Sequence, residues 1–433
     1  MTLFLMARRS LQQHAAAAWL TALSVALASG LAMSVWAVEA QAFRAFTGGP
    51  AGFDAVLGAR GSQLQLVLNT VFHLETSPGN IPWSLYEEMK RDPRVELAIP
   101  YAVGDNYRGF RIVGTTESLF TDFHYREGQR FGLEPGGRWF APDQPEAVIG
   151  SAVAQRTRLK TGARFRPSHG LYSAAGNGHG HHDGDHEDDA DEHAHEDVYT
   201  VTGVLKPTNS PSDRVIWIPV EGLFRMDGHV LRGAGAEYRP EPGVEIPDEH
   251  KEVSAVMLKL KTPMAGFALH QSVNRQGREA TLAWPVASVM AGLFDKLGWM
   301  SRVLRLVALL VAAVAAASVA AALYASLNGR QREFAILRAL GARRRTLLGA
   351  VMLETAAISA GGAMLGWAVY GAILALTATV IRQQTGVVIA VLEWHPALVA
   401  VPAALTLLGT AAGLLPAARA YRTSVATGLA PAN

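Results

Sequence analysis

Six histidines and nine carboxylates lie between Gly176 and Asp197, in a stretch that holds almost nothing apolar. At neutral pH most imidazoles are unprotonated, and imidazole with carboxylate suits Zn²⁺, Ni²⁺ or Cu²⁺. The candidate ligands are His179, His181, His182, His186, His193 and His195. Because this composition cannot bury a core, residues 176–197 are predicted to form a disordered loop that binds metal weakly, in several arrangements. The alternative is a solvated acidic linker whose histidines have no ligand role.

No other arrangement of residues indicates an enzyme. The sequence has no cysteine, which excludes disulfides and thiolate metal sites. It contains neither H-E-x-x-H nor G-x-S-x-G, and His73, His124 and His229 stand alone, as structural or surface histidines do. The nucleotide-binding pattern G-x-x-x-x-G-K-[ST] is also missing. We therefore expect no required cofactor and no nucleic-acid partner, and we expect any ATP chemistry to belong to another subunit.

Four apolar stretches are each long enough to cross the hydrocarbon core of a membrane, which takes about 20 helical residues. They are residues 15–38, 303–327, 347–381 and 396–416. Many of their residues are alanine or glycine, which favours close packing of helices in lipid. The first stretch is longer than the roughly 7–15 apolar residues of a signal peptide, so it is interpreted as an uncleaved anchor.

The distribution of basic residues beside these stretches predicts the orientation in the membrane. With the N-terminus inside, ten arginines are cytoplasmic: Arg8, Arg9, Arg330, Arg332, Arg338, Arg343, Arg344, Arg345, Arg419 and Arg422. Five basic residues are then external: Arg44, Lys296, Arg302, Arg305 and Arg382. This asymmetry places residues 1–14, 328–346 and 417–433 in the cytoplasm and residues 41–298 outside, which is the periplasm of a Gram-negative cell. Arg302 and Arg305 oppose the rule and suggest a polar collar at the start of the second span.

The external segment has the pattern of a soluble α+β domain. Its predicted strands are VELAIPYAV, RGFRIVGTT, EAVIGS, VYTVTGVL, RVIWIPV and SAVMLKLK. Two predicted helices, IPWSLYEEMKRD and SAVAQRTRLK, lie among these strands. The predicted fold class is therefore a membrane protein with four transmembrane helices and a large α+β domain between the first two.

Three segments of this external domain resemble the MacB-type periplasmic core domain: GFDAVLGARGSQLQLVLNTVFHLE, LAIPYAVGDNYRGFRIVGT and VTGVLKPTNSPSDRVIWIPVE. The later stretch NGRQREFAILRALGARRRTLLGAVMLE resembles the FtsX-like permease domain of ABC transporters. The order of one helix, a large domain and three helices is also that of this family. The histidine-rich run departs from the resemblance and looks like an insertion between GARFRPSHG and VYTVTGVL.

The predicted cytoplasmic loop, residues 328–346, contains a short amphipathic helix. Phe334, Leu337 and Leu340 recur at helical spacing with Ile336 beside them, and Gly341 can end the helix in a left-handed cap. The spacing alone fits equally an interfacial helix on anionic lipid and a docking helix in a groove of a partner protein. The resemblance favours docking, because FtsX-like permeases couple to an ATPase subunit there. Residues 343–345, three arginines, are interpreted as anchors at the inner membrane surface.

One acidic residue, Glu354, lies inside the third apolar stretch. A carboxylate in lipid is costly and often functional, but this one is close enough to the cytoplasmic end to pair with an arginine there, and we favour that interpretation. The apolar stretches contain no second acid, histidine or lysine at mid-depth that would form an ion path or proton relay. They therefore resemble helices that transmit motion more than helices that line a channel.

Two functions remain open from the sequence. The first is the permease subunit of an ABC transporter, in which a separate ATPase moves the external domain for export, lipoprotein release or a related task. Its partners would be the ATPase, a second permease chain in a homodimer or a pair, membrane lipid and a periplasmic protein. The second is a metal-binding membrane protein whose histidine-rich loop captures or senses zinc. The expected location for both is the bacterial inner membrane.

Overall fold

The computed structural model describes residues 9, 11–13, 15–47, 52–126, 128–169, 197–225, 231–233, 236–238, 244–277, 279–329, 335–336, 338–339, 342–386, 394–414 and 416–418. Two compact units are present. The sheet unit comprises the described residues of Phe43–Lys296 and Ile381–Ile389. The helical unit comprises the described residues of Met1–Ala42, Leu297–Val380 and Ala390–Asn433.

The sheet unit contains the strands of the described chain. They are β1 (Ala55–Ala59), β2 (Ile81–Pro82), β3 (Val95–Tyr107), β4 (Phe110–Thr115), β5 (Glu146–Ile149), β6 (Arg164–Phe165), β7 (Ser168–His169), β8 (Tyr199–Val204), β9 (Val215–Pro219), β10 (Leu231–Gly233), β11 (Ala236–Tyr238), β12 (Glu252–Val253), β13 (Ala255–Leu260) and β14 (Ala280–Ala283). All six predicted strands are present, as β3, β4, β5, β8, β9 and β13. The short strands β1 and β14 were missed, because four or five apolar residues in a row do not display a period of two.

Ten of these strands form one mixed sheet in the order β14-β1-β13-β3-β4-β9-β5-β8-β6, with β7 added against β3. The pairs β4–β9 and β5–β8 are parallel, and the other pairs are antiparallel. Antiparallel pairs dominate, and the isolated helices pack on the faces of the sheet, which confirms the predicted α+β class.

Both faces of the sheet are buried. In β9, Ile216 and Ile218 belong to the apolar cluster on one face, and Val215 and Trp217 belong to the cluster on the other face. This separation follows from the alternation of side chains along a strand. Because both faces are covered by helices or loops, β9 is apolar throughout, as its sequence VIWIP shows.

Short helices cover the two faces. They are α2 (Gln63–Thr70), α3 (Trp83–Arg91), α4 (Ser118–Thr121), α5 (Ser151–Thr157), α6 (Val220–Arg225) and α7 (Pro263–Gln271), and α1 is the long helix that precedes them. The predicted helices α3 and α5 are present; α5 ends earlier than predicted, because Arg158 adopts the left-handed conformation and stops it. In α7 the hydroxyl of Thr262 accepts a hydrogen bond from the amide of Ala265 at 3.2 Å and caps the helix.

Four long helices are apolar enough to cross a membrane by length and composition. They are α1 (Ala15–Thr47), α8 (Val286–Gly329), α9 (Arg344–Thr385) and α10 (Ala397–Ala412). Helices α1 and α8 extend well beyond the apolar stretches 15–38 and 303–327. The apolar pattern marks only the part of a helix suited to lipid. The extra turns come after the apolar stretch in α1 and mainly before it in α8.

Helix α1 packs closely on helix α9 within the helical unit, and glycine allows this approach. A Cβ at Gly362 would lie 2.5 Å from the carbonyl oxygen of Ala22, and one at Gly366 would lie 2.5 Å from the Cβ of Ser29. Across the same contact the hydroxyl of Ser29 donates to the carbonyl oxygen of Ala363 at 3.3 Å. The small residues predicted to favour helix packing are therefore at a helix contact.

Candidate functional site

The segment between α8 and α9 is the predicted docking site, and the structure describes part of it. Ala335, Ile336, Arg338 and Ala339 are helical, in agreement with the predicted short helix. Ala335 is buried, whereas Ile336 is 45% exposed, so this turn has an inner side and a free apolar side chain. Phe334, Leu337, Leu340 and Gly341, the other members of the predicted site, lie outside the described residues.

Glu354 is 6% exposed and lies in helix α9, in the first turns after Arg344. It borders a cavity of about 20 Å³ that is also lined by Thr21 and Ser326. This volume is about that of one water molecule and far too small for a transported solute. Glu354 is therefore a packed element of the helical unit.

An ion pair joins helices α1 and α8 close to the start of the second apolar stretch. Arg305 Nη2 donates to Glu39 Oε1 at 2.7 Å, and the guanidinium carbon of Arg305 lies 5.1 Å from the ring centroid of Trp36. The carboxylate and the aromatic ring offset the charge of Arg305. Sequence reasoning noted Arg305 but missed Glu39, which directly follows the first apolar stretch.

A buried polar cluster lies inside the sheet unit. The Arg111 guanidinium donates from Nη1 to the Asn69 carbonyl oxygen at 3.3 Å and from Nη2 to the Glu75 carbonyl oxygen at 2.7 Å. Burial lowers the pKa of Arg111 to about 10. Burial, followed by the charges of Arg111 and Arg214, lowers the pKa of His73 to about 3, so this histidine is neutral. His73 is a structural histidine, as its isolation in the sequence suggested.

Of the other two single histidines, the structure describes His124. His124 accepts a hydrogen bond at Nε2 from Arg130 Nε at 3.1 Å and lies at the surface. His229 lies outside the described residues. The described part of the chain also contains no group of three or more histidine, cysteine, aspartate or glutamate side chains that could hold a metal ion.

The six histidines of the predicted metal loop lie outside the described residues, but the strands on either side are described. Phe165 in β6 pairs with Tyr199 in β8, and Arg164 pairs with Thr200. The strand directly before the histidine-rich run, β7, pairs with β3 instead, and the strand after the run is β8. That the run is an insertion between two strands stays a prediction.

Helix α8 links residues of the two units in one continuous element. Its first turns contribute Val286 and Met290 to the apolar core of the sheet unit, and its later turns contribute Val319 and Leu323 to the core of the helical unit. Helix α9 similarly ends at Thr385, and the next residue, Gly386, packs against Ser210 in the sheet unit with a φ of 76°.

Two family profiles match this chain, and together they cover most of its length. The profile of the MacB-like periplasmic core domain matches residues 18–273, and that of the FtsX-like permease C-terminal domain matches residues 305–425. No curated protein matches the sequence.

Two solved structures are among those similar to the chain. The periplasmic region of MacB from Actinobacillus actinomycetemcomitans is 10% identical, with a TM-score of 0.32; the match covers 57% of this chain and 94% of that one. The extracellular domain of the noncanonic ABC-type transporter YknZ from Gram-positive bacteria is 13% identical, with a TM-score of 0.27; the match covers 52% of this chain and 97% of that one.

The first profile alone spans more than half of the sequence, and the second spans the helices that follow the sheet unit. Permeases of this family are bacterial inner-membrane proteins that work with an ABC ATPase and are not themselves catalytic. This chain belongs to the FtsX-like permeases with a MacB-like periplasmic core domain, the permease components of ABC transporters.

Proposed function

We propose that a separate ATPase drives motion of the sheet unit through this chain, and that helix α8 carries the motion. The observation behind this proposal is the length and placement of α8, which has 44 residues. At 1.5 Å per residue it is about 66 Å long, more than twice the roughly 30 Å of the hydrocarbon core. Because Val286 and Met290 belong to the sheet-unit core, the excess length lies at that end and ties the helix to the sheet.

The ATPase would dock on the loop at the other end of α8, residues 328–346, through Phe334, Ile336, Leu337, Leu340 and Gly341. The exposed side chain of Ile336 beside buried Ala335 supports an apolar surface available for a partner. An amphipathic helix with apolar anchors three or four residues apart is a common way to fill a groove in another protein. A helix lying on lipid is the competing arrangement.

The proposed topology has both termini in the cytoplasm, with spans at 15–38, 303–327, 347–381 and 396–416 and residues 41–298 in the periplasm. The chain would act as a homodimer or with a second permease, in contact with lipid and with a periplasmic protein. Its task would be export, lipoprotein release or another process driven by motion of the periplasmic domain.

Replacing Leu337 by Asp tests the docking proposal. An unpaired charge in a buried apolar contact costs several kcal/mol, about 2–7 kcal/mol for a polar group that lacks a partner. We expect the ATPase to be lost from co-purification, while the amount of inserted permease stays unchanged. Ala339→Asp is the matched control, because Ala339 is exposed and is not one of the five proposed docking residues. Equal ATPase recovery with both variants would contradict the docking assignment of Leu337.

Zinc handling is a second function that the sequence supports, through the six histidines from His179 to His195. Along the chain this stretch lies between β7, which pairs with β3, and β8, which pairs with β5 and β6, so a metal bound to it would replace no described strand of the sheet. Zinc binding would then regulate or supplement the permease and would not replace it.

A further inference from the structure

A pocket of about 400 Å³ lies in the sheet unit, where helix α1 ends and helix α8 begins. Phe46 from the last turn of α1 and Val286 from the first turn of α8 line it, together with Phe53, Val71 and Trp284. The volume falls within the roughly 300–1,000 Å³ of small-molecule pockets, and the lining is largely apolar, as in such pockets.

Two lysines and one aspartate give this pocket a positive rim. Lys259 Nζ lies 3.2 Å from Asp54 Oδ1, and both side chains are about 40% exposed. Lys261 Nζ donates to the carbonyl oxygen of Pro93 at 2.8 Å, which leaves two of its three donors for another acceptor. One carboxylate against two ammonium groups leaves a net positive charge, so an anionic group would be attracted to the mouth of the pocket.

The surface beside the pocket is also apolar. Helix α7 starts at Pro263, which lines the pocket, and its Met264 and Phe267 are 73% and 58% exposed. Residues three apart lie on the same side of a helix, so these two side chains form one apolar patch. An apolar cavity, an apolar patch and a positive rim together suit a ligand that has a hydrocarbon part and an acidic group.

Helix α1 runs without a break from the first apolar stretch to a residue that lines this pocket. Phe46 lies eight residues beyond Val38, where the first apolar stretch ends, which is about 12 Å along helix α1. We propose that the pocket binds the acyl chain of an anionic amphiphile from the adjacent membrane leaflet, with its acidic head group at Lys259 and Lys261. This proposal is independent of how the permease is coupled to an ATPase.

A photoreactive palmitic acid, with a diazirine near the end of its chain, tests the proposal on the full-length protein in lipid nanodiscs. We expect saturable labelling of peptides that contain Phe53, Val71 or Trp284, and we expect unlabelled palmitate to compete with it. Ala287→Trp fills the pocket from its exposed edge and should reduce this labelling at least tenfold. Labelling confined to the membrane helices, or unaffected by Ala287→Trp, would overturn the assignment.

A charge reversal at Lys261 tests the head-group position, and it does not depend on whether the Ala287→Trp variant folds. Lys261→Glu should weaken binding of the photoreactive acid about threefold, as loss of a solvent-exposed ion pair does. The same substitution should leave the binding of a photoreactive hexadecanol probe unchanged, because the alcohol carries no charge. Lys160→Glu is the matched control at an exposed lysine elsewhere in the sheet unit. An equal loss of acid and alcohol would show a structural effect and contradict the head-group assignment. If neither probe labels the pocket, the acyl-chain proposal is wrong, and an apolar side chain of a partner protein becomes the occupant to test.

Discussion

His73 lies in a left-handed backbone conformation with a φ of 55° and places its ring against two aromatic side chains. Its ring centroid is 6.4 Å from that of Tyr101 and 5.9 Å from that of Trp217, and its Nδ1 atom is buried. With Arg111 and Arg214 nearby, a proton on this ring would add a third buried positive charge. The residue therefore makes the stability of the fold depend on pH.

Replacing His73 by Asn tests this pH dependence. The pKa of His73 is about 3 in the folded chain and about 6.5 in the unfolded chain, so below pH 6.5 only the unfolded chain takes up the proton. The unfolding free energy then falls by up to about 1.4 kcal/mol per pH unit as the pH decreases towards 3. Asn tolerates the left-handed conformation and does not titrate.

We expect His73→Asn to be less stable than the wild type at pH 7.5, because ring contacts are lost. The difference between their thermal midpoints should shrink between pH 6.5 and 4.5, since only the wild type loses stability through this group. This difference is measured by thermal unfolding of the two full-length proteins, followed by intrinsic fluorescence. A difference that stays constant over this pH range would show that His73 titrates normally.

At the scale of elements, the contact between helices α1 and α9 depends on which face of α9 carries glycine. Gly361 and Gly362 are neighbours in sequence, but only Gly362 faces α1; a Cβ at Gly361 would meet nothing within 4 Å. Together with Gly366, Gly362 forms the small-xxx-small spacing that lets two membrane helices approach closely.

This difference between adjacent glycines gives a matched pair of variants. Gly362→Leu must push the helices apart, and we expect it to destabilise the protein by about 1–3 kcal/mol, as overpacking does. Gly361→Leu should be neutral or slightly stabilising, because leucine has a higher helix propensity than glycine. Thermal midpoints in nanodiscs distinguish the two. Similar midpoints for both variants would contradict the close α1–α9 contact.

The histidine-rich run is an element whose effect can be separated from the fold. Because Arg164 and Phe165 pair with Thr200 and Tyr199 across it, deleting residues 179–195 should leave the sheet intact. We expect an unchanged thermal midpoint in metal-free buffer and the loss of most of the zinc heat in calorimetry of the full-length protein. Binding by the wild type should fade as the pH falls through about 6.5, since only neutral imidazole binds metal.

A control variant separates the two kinds of ligand in this run. Replacing the six histidines by asparagine keeps every carboxylate, so retained zinc binding would assign the site to the acids. If the deletion leaves zinc stoichiometry unchanged, the ligands lie elsewhere in the chain. If the deletion unfolds the sheet unit, the run is a folded element and not a loop.

At the scale of the whole molecule, the orientation in the membrane is a prediction from the arginine asymmetry. A reporter fused at Gly228, between α6 and β10, should be active only if it is alkaline phosphatase, which requires the periplasm. A fusion after Ala342, between α8 and α9, should be active only as a fluorescent protein folded in the cytoplasm. If a fluorescent-protein fusion at Gly228 were fluorescent, the topology would be the reverse of the predicted one. The docking loop would then lie on the side opposite to that where ATP is hydrolysed.

The sequence by itself determined the classes of structure in this chain. Four apolar stretches and a series of short apolar strands carry a strong local signal, because lipid and a two-faced sheet each impose a simple pattern of side chains. The absence of a nucleotide-binding loop and of catalytic motifs also followed from sequence, and the resemblance of NGRQREFAILRALGARRRTLLGAVMLE to FtsX-like permeases named the family that the comparisons confirm.

Only the tertiary structure decided which distant residues meet. Arg305 and Glu39 are 266 positions apart and form one ion pair, and Phe46 lines the same pocket as Lys261, although the two are far apart in the chain. No local pattern encodes such pairs, because a contact between remote residues depends on strand order and helix length. The same holds for helix α8: its apolar stretch predicted a span, and only the fold revealed that its first turns belong to the core of the sheet.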